Sequence, residues 1–184
     1  MDDVQPGDDL VAAFHRWAAG ERTTAAAQNR ARERWLRDQA SASASWTGVL
    51  VDLAEQAAGV VVAVGGIRCT GRIVGVARDF CVLQPASGRP TLIALGAISA
   101  LWPQQPGGRG AAGDRRPGLT LSMAGALSAL AEERSRVVLS LADGGQVEGE
   151  MVAVGEDVAT LRTEPPSRRS VYVRLAAVTC CEVR

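Results

Sequence analysis

The chain has 184 residues, is 47% hydrophobic and carries no net charge, enough apolar material to bury one medium core or two small ones. All 20 of its basic residues are arginine, so chemistry that needs a lysine, a Schiff base or a P-loop, is excluded. The longest apolar runs fall short of the roughly 20 residues that cross a bilayer, and the sequence opens on Met-Asp-Asp; no membrane span and no signal peptide are expected.

The N-terminal segment, 1–45, reads as helical and arginine-rich. Asp8 and Asp9 are suited to capping a helix with Leu10, Phe14 and Trp17 on one face, ending near Gly20. Thr23 or Thr24 caps a second, from Ala25 to about Ala44, with no breaker before Trp46. Between Arg16 and Arg37 six arginines stand against Glu21 and Glu33, and Arg30, Arg34 and Arg37 recur at three-to-four spacing with Arg32 beside them. Interleaved with Trp35, such a stripe suits a phosphate backbone. The alternative is a solvated face whose Trp35 and Leu36 pack inward. His15 is the only histidine, without a catalytic companion.

From Trp46 the chain repeats itself. Sliding it by 77 residues lays Ser45–Val64 over Ser122–Leu141 without a gap, with eight identical pairs, among them Ser45/Ser122, Gly48/Gly125, Leu50/Leu127 and Glu55/Glu132. One further residue in a turn brings Gly71/Gly149, Asp79/Asp157 and Leu83/Leu161 into line, and two more bring Leu95/Leu175. Length changes confined to turns are what a duplication leaves, because loops tolerate them and strands do not.

Each repeat, 46–102 and 119–184, opens with helical spacing and then alternates. The strands expected in the first are Val60–Val64, Arg68–Val76, Phe80–Gln84, Leu92–Leu95 and one ending near Trp102; the second has counterparts up to Val183. Gly71 and Gly149, inside the second strands, mark bends. Between the repeats, 103–118 is rich in Pro, Gly and Arg and reads as a flexible linker. From Leu119 onward nine acids face seven arginines, so a polyanion would favour the N-terminal half and the linker.

The helix, five short strands, the glycine in the second strand, and the extended fourth strand, break and fifth strand of Thr91-Leu92-Ile93-Ala94-Leu95-Gly96-Ala97-Ile98 resemble the Sm-like (LSm, Hfq-type) family. The resemblance covers both repeats. It implies an α+β fold: N-terminal helices, then two tandem Sm-like or SH3-like five-stranded antiparallel β-barrels, each preceded by a helix. It also implies a nucleic-acid-binding regulatory protein, with single-stranded RNA or DNA as the partner, RNA ahead of DNA. The family's base-reading positions are altered here. Ala77, Asp79 and Cys81 in the first copy, and Gly155, Asp157 and Ala159 in the second, replace its Asp, stacking residue and Asn, and only Arg174 holds its Arg position.

The candidate nucleic-acid contacts are therefore Arg30, Arg32, Arg34, Arg37, Arg72, Arg78, Arg115, Arg116 and Arg174. The alternative function is a protein–protein interaction or assembly module whose open strand edges pair between units, in a homo-oligomer. No Ser/His/Asp or Cys/His constellation, metal-ligand spacing or phosphate loop is present, so no enzyme, cofactor, metal or small-molecule substrate is expected. Cys69, Cys81, Cys180 and Cys181 read as buried reduced thiols, which places the protein in the cytoplasm.

Overall fold

The computed structural model describes residues 28–36, 38, 39, 42, 44–104, 111–163 and 169–184. Two compact units divide the chain, Met1–Ser43 and Ala44–Arg184. In the first, residues 28–36 form helix α1, with Trp35 and Leu36 exposed. The helix expected from Asp8 to Gly20, and His15, lie outside the described residues.

Helix α2, Trp46–Glu55, does not continue the N-terminal helix. Ser45 is extended (φ −108°, ψ 150°), and its hydroxyl accepts the Gly48 N–H at 3.0 Å. Helix α3, Met123–Glu132, starts identically: Ser122 accepts the Gly125 N–H at 3.1 Å. A serine that satisfies one of the orphan N–H groups of a first turn fixes where a helix begins. Both helices end on a residue with positive φ, Ala57 and Arg134.

The strands follow the duplication. The first repeat supplies β1 (Gly59–Val64), β2 (Ile67–Val76), β3 (Phe80–Gln84), β4 (Thr91–Ala94) and β5 (Ile98–Pro103), with a 3-10 turn at Leu95–Ala97 between the last two. The second supplies β6 (Arg136–Leu141), β7 (Gln146–Val154), β8 (Val158–Arg162), β9 (Ser170–Arg174) and β10 (Val178–Val183), with its 3-10 turn at Leu175–Ala177. Register breaks between Ile73 and Gly75, and between Met151 and Ala153, interrupt β2 and β7 at matching points, as bulges that bend a strand do. A Cβ on Gly71 would stand 2.6 Å from the Gln84 carbonyl oxygen, and one on Gly149 2.5 Å from that of Arg162. The glycines expected to mark bends therefore let β2 and β7 approach their neighbours' backbone more closely than any side chain allows.

The two closed five-stranded barrels expected from the sequence, Sm-like or SH3-like, do not form. All ten strands belong to one open antiparallel sheet in the order β5-β1-β2-β3-β4-β10-β6-β7-β8-β9. Closing a five-stranded unit on itself would require β4 to pair with β5. Instead β4 pairs with β10, matching Ile93 with Cys180, Leu92 with Cys181 and Thr91 with Glu182. Alternating apolar positions specify strands and their buried faces, but not which strand an edge will choose.

That choice is visible in the packing. The core under α2 holds Leu50, Leu53, Val60, Val62, Ile73, Leu83 and Ile93, and also Cys180 from the second repeat. The core under α3 holds Leu127, Val137, Leu139, Met151, Leu161 and Val178, and also Ala77 and Phe80 from the first. Leu50 and Leu127, equivalent and both fully buried, each contribute about 2–3 kcal/mol relative to exposure. Among the described residues, no helix is long and apolar enough to cross a membrane.

Candidate functional site

The seam between the repeats is built from three kinds of contact. Strand pairing joins β4 to β10. At the β2–β3 turn the Asp79 carboxylate accepts the N–H of Met123, the first residue of α3, at 2.7 Å, and the neighbouring Arg78 N–H reaches the Leu121 carbonyl at 3.3 Å. A carboxylate at the positive end of a helix dipole, accepting one of its orphan N–H groups, makes a charge-assisted bond. Beyond β3, Arg89 donates to the Val183 carbonyl at the end of β10, at 3.4 Å. Asp79, Ala94, Met123, Asp157 and Leu175 line a groove of about 600 Å³ along this seam.

Every first-repeat part of the seam has a counterpart in the second repeat; of these, β9 lies at the sheet's end, whereas Asp157 itself lines the seam groove. Asp157 corresponds to Asp79, Arg169 to Arg89, and β9 to β4. Asp157 is exposed, and its carboxylate has no hydrogen-bond partner among the described residues. Tyr172, the counterpart of the half-buried Leu92, is 73% exposed. At the opposite end, Trp46 is 41% exposed where its counterpart Met123 is 8%, and Trp102 on β5 is 44% exposed with Arg68 stacked 4.7 Å from its ring centre.

Backbone polarity at both edges follows from the ladders. The Gln104 N–H bonds the Gly59 carbonyl at 2.8 Å, so by the two-residue alternation of an antiparallel ladder the Leu101 N–H points away from β1. The Thr163 N–H bonds the Arg169 carbonyl at 3.0 Å, so the Tyr172 N–H likewise points away from β8. Their counterparts, Cys181 and Leu92, oppose each other at the seam.

A strap crosses α2. The Asp52 side chain, on a residue only 7% exposed, accepts the Gly113 N–H at 2.8 Å and lies 3.3 Å from the Arg115 Nε. Arg115 also bonds Glu55, and the Gly113 carbonyl accepts the Ser45 N–H.

The candidate arginines are dispersed. Arg30, Arg32 and Arg34 are exposed on α1, where the Arg34 Nε donates to the Arg30 carbonyl at 3.3 Å; Arg37 lies outside the described residues. Arg72 is exposed on β2, Arg78 in the turn at the seam, Arg116 on the connecting segment and Arg174 on the β9 edge. Arg115 is engaged by Asp52 and Glu55. Outside α1, then, the candidates stand on separate elements, and the groove at the seam is lined instead by the carboxylates of Asp79, Glu156 and Asp157.

Cys81, Cys180 and Cys181 are buried and Cys69 half-buried, all unpaired. Burial, with the neighbouring Cys180 adding to it, pushes the Cys81 thiol up to about 12. Among the described residues no group of His, Cys, Asp and Glu could hold a metal ion. No family model matches the chain, and no curated protein matches it.

Asp79 and Asp157 look like ordinary turn residues in the sequence, where Asp favours such positions. Their identity across the repeats, together with that of Arg89 and Arg169, was the available signal for a shared contact.

Proposed function

We propose that the chain is a protein-assembly module that takes a β-strand of a protein partner along each open edge of its sheet. The observation that carries this reading is the pairing of β4 with β10, which occupies one copy of each edge inside the chain and leaves the equivalent edges, β9 and β5, open. An unpaired strand edge is a template for another strand, and proteins that do not use such edges blunt or cover them. Here the outward N–H groups of Leu101 and Tyr172 stand beside large exposed side chains, Trp102 and Tyr172.

A second reading rests on one observation, the exposed arginines Arg30, Arg32 and Arg34 of α1: a nucleic-acid contact, RNA rather than DNA, made by the N-terminal unit. The acidic lining of the seam groove favours the protein partner for the sheet itself.

Affinity capture separates the two. The full chain and an edge-blocked variant, Leu101→Pro with Tyr172→Pro, are exposed to lysate with and without nuclease. Each proline removes an outward N–H and leaves the inner ladder bonds in place. The expected result is protein retained by the parent after nuclease treatment and lost by the blocked variant, whose unchanged circular dichroism shows it folded. Material that disappears with nuclease, or that the blocked variant retains, overturns the assembly reading.

A further inference from the structure

We propose that a depression on the outer face of β1 and β2 binds a small carboxylic acid, its carboxylate on the Arg72 guanidinium and a hydroxyl or amino group of the same molecule on the Gln84 carboxamide oxygen.

The two repeats exchange charge at one place in the sheet. In the second, Arg136 of β6 stands directly opposite Glu150 of β7, and Glu150 directly opposite Arg162 of β8. Residues opposite each other on antiparallel strands share a face and are close neighbours, so this row alternates in sign. Arg134 adds an ion pair, its Nη1 3.2 Å from the Glu150 Oε1. The row is self-neutralising.

The first repeat keeps the register, with Gly59 opposite Arg72 and Arg72 opposite Gln84. The Gln104 N–H bonds the Gly59 carbonyl just as the Arg184 N–H bonds that of Arg136. The side chains differ at every position. Gly59 replaces Arg136, Arg72 replaces Glu150, Gln84 replaces Arg162 and Ala57 replaces Arg134. The single acid has become a cation and the three cations around it are gone, so Arg72 makes no ion pair with a described residue.

Without a side chain at Gly59 a cavity of about 390 Å³ is open above it, bordered by Thr70, Arg72 and Gln84, with Val74 and Pro85 as an apolar wall. It lies on the face of β2 opposite the buried Ile73. A guanidinium fork grips a carboxylate through two parallel bonds. Among the described residues Arg72 is the only cation of the lining, and one positive charge balances a carboxylate but not a phosphate monoester, which carries nearly two negative charges. The Gln84 carboxamide nitrogen is engaged by the Pro85 and Gly88 carbonyls at 3.2 and 3.3 Å, which leaves its oxygen as an acceptor. An acceptor beside the guanidinium selects a ligand with a donor next to its carboxylate, as in a 2-hydroxy or 2-amino acid. Val74, 57% exposed, is covered by the ligand's apolar part.

The test is a titration of the full chain, labelled with nitrogen-15 and followed by NMR at the backbone amides of residues 70–74 and the Gln84 side-chain amide. 2-Hydroxy-3-methylbutanoate should shift these signals saturably. 3-Methylbutanoate, which lacks the donor, should bind about fivefold more weakly, the effect of one neutral hydrogen bond, and inorganic phosphate more weakly still. Arg72→Gln should weaken binding about tenfold or more. Gly59→Arg with Arg72→Glu writes the second repeat's pair into the first and should abolish binding, with unchanged circular dichroism showing the variant folded. A Cβ at 59 meets only the flexible end of Gln104, and Arg72→Gln, a surface change, decides the matter by itself if the double variant does not fold. The absence of saturable shifts at these positions, or equal binding by Arg72→Gln, overturns the proposal. So does tighter binding of inorganic phosphate, which returns Arg72 to the nucleic-acid reading, or of acetyl-glycyl-valine, which assigns the site to the end of a protein chain.

Discussion

The carboxylate of Asp79 holds the N–H of Met123 at 2.7 Å, tying a turn of the first repeat to the first residue of the helix that opens the second. The two residues are 44 positions apart in sequence, and the bond closes the seam on the helix side while β4 and β10 close it through the sheet. It is the smallest feature that turns two repeats into one body.

Asp79→Ala should therefore destabilise residues 44–184 as a unit rather than one repeat alone. The loss expected is about 1 kcal/mol, the size of a helix-capping bond on an exposed carboxylate. Urea unfolding followed by far-UV circular dichroism should show a single transition moved to lower denaturant. Two separated transitions in the parent would mean that the repeats unfold independently and that the seam couples them weakly.

Asp52 presents the opposite case, a buried acid rather than an exposed one. It receives the Gly113 N–H and faces Arg115, holding the strap on α2. Its counterpart in α3 is Ala129, which anchors no such strap. Asp52→Ala leaves the Gly113 N–H without an acceptor in a buried place and should cost about 2 kcal/mol. Asp52→Asn, which retains an acceptor oxygen, should cost less. The comparison of the two midpoints in urea checks the assignment, and equal losses would count against the strap bond as the cause.

Much of the local structure was legible because its determinants are local. Gly65-Gly66 and Asp143-Gly144 lie between alternating runs, and the strand limits at Phe80–Gln84 and Val158–Arg162 match the sequence reading, whereas the fresh helix start at Ser45 was not read, because nothing before Trp46 looks like a breaker. Closure of the barrels was not legible. Whether β4 meets β5 or β10 is decided by packing such as that of Phe80 and Ala77 in the second core, which no periodicity encodes. The arginine sites were read from charge and spacing. Charge alone did not reveal that Arg115 is spoken for by Asp52 and Glu55. Asp79 stood out only as a position matched by Asp157, and Arg89 not at all, because a turn residue and a loop cation look alike whether or not they meet a neighbour.

The helix ends give a prediction of the reverse sign. Ala57 (φ 49°) and Arg134 (φ 55°) occupy the left-handed region, which costs a residue with a Cβ about 1–2 kcal/mol and costs glycine almost nothing. The backbone bonds Ala58 N–H to Leu53 and Ser135 N–H to Leu130 close both ends in the same way, so the conformation is fixed by the fold. Ala57→Gly should stabilise the protein by up to about 1 kcal/mol, after the greater freedom of glycine in the unfolded chain is subtracted. Arg134→Gly should gain less, because it also removes the exposed ion pair with Glu150. Thermal melts read both.

The thiols predict the alkaline limit of the fold. Burial raises Cys81 to about 12 and Cys181 to about 12, with Cys180 adding to both, and raises Cys180 to about 11, with Cys69 adding and a hydrogen bond with Thr179 opposing. A thiol is neutral when protonated, so the folded chain keeps these protons above pH 9.0, the ordinary thiol value, where the unfolded chain has released them. Their contribution is fully present below pH 9.0 and is lost as pH rises through about 11 to 12, with a slope of up to about 1.4 kcal/mol per pH unit for each buried thiol. The chain has no lysine to titrate in this range. Urea midpoints measured from neutral pH to pH 11 should fall steeply above pH 9, and Cys181→Val, close in volume and without a proton to lose, should flatten the decline. Cys69, only half-buried, should alkylate first under native conditions, with the other three reacting only as the fold opens. A slope unchanged by Cys181→Val would remove the buried thiols as its cause.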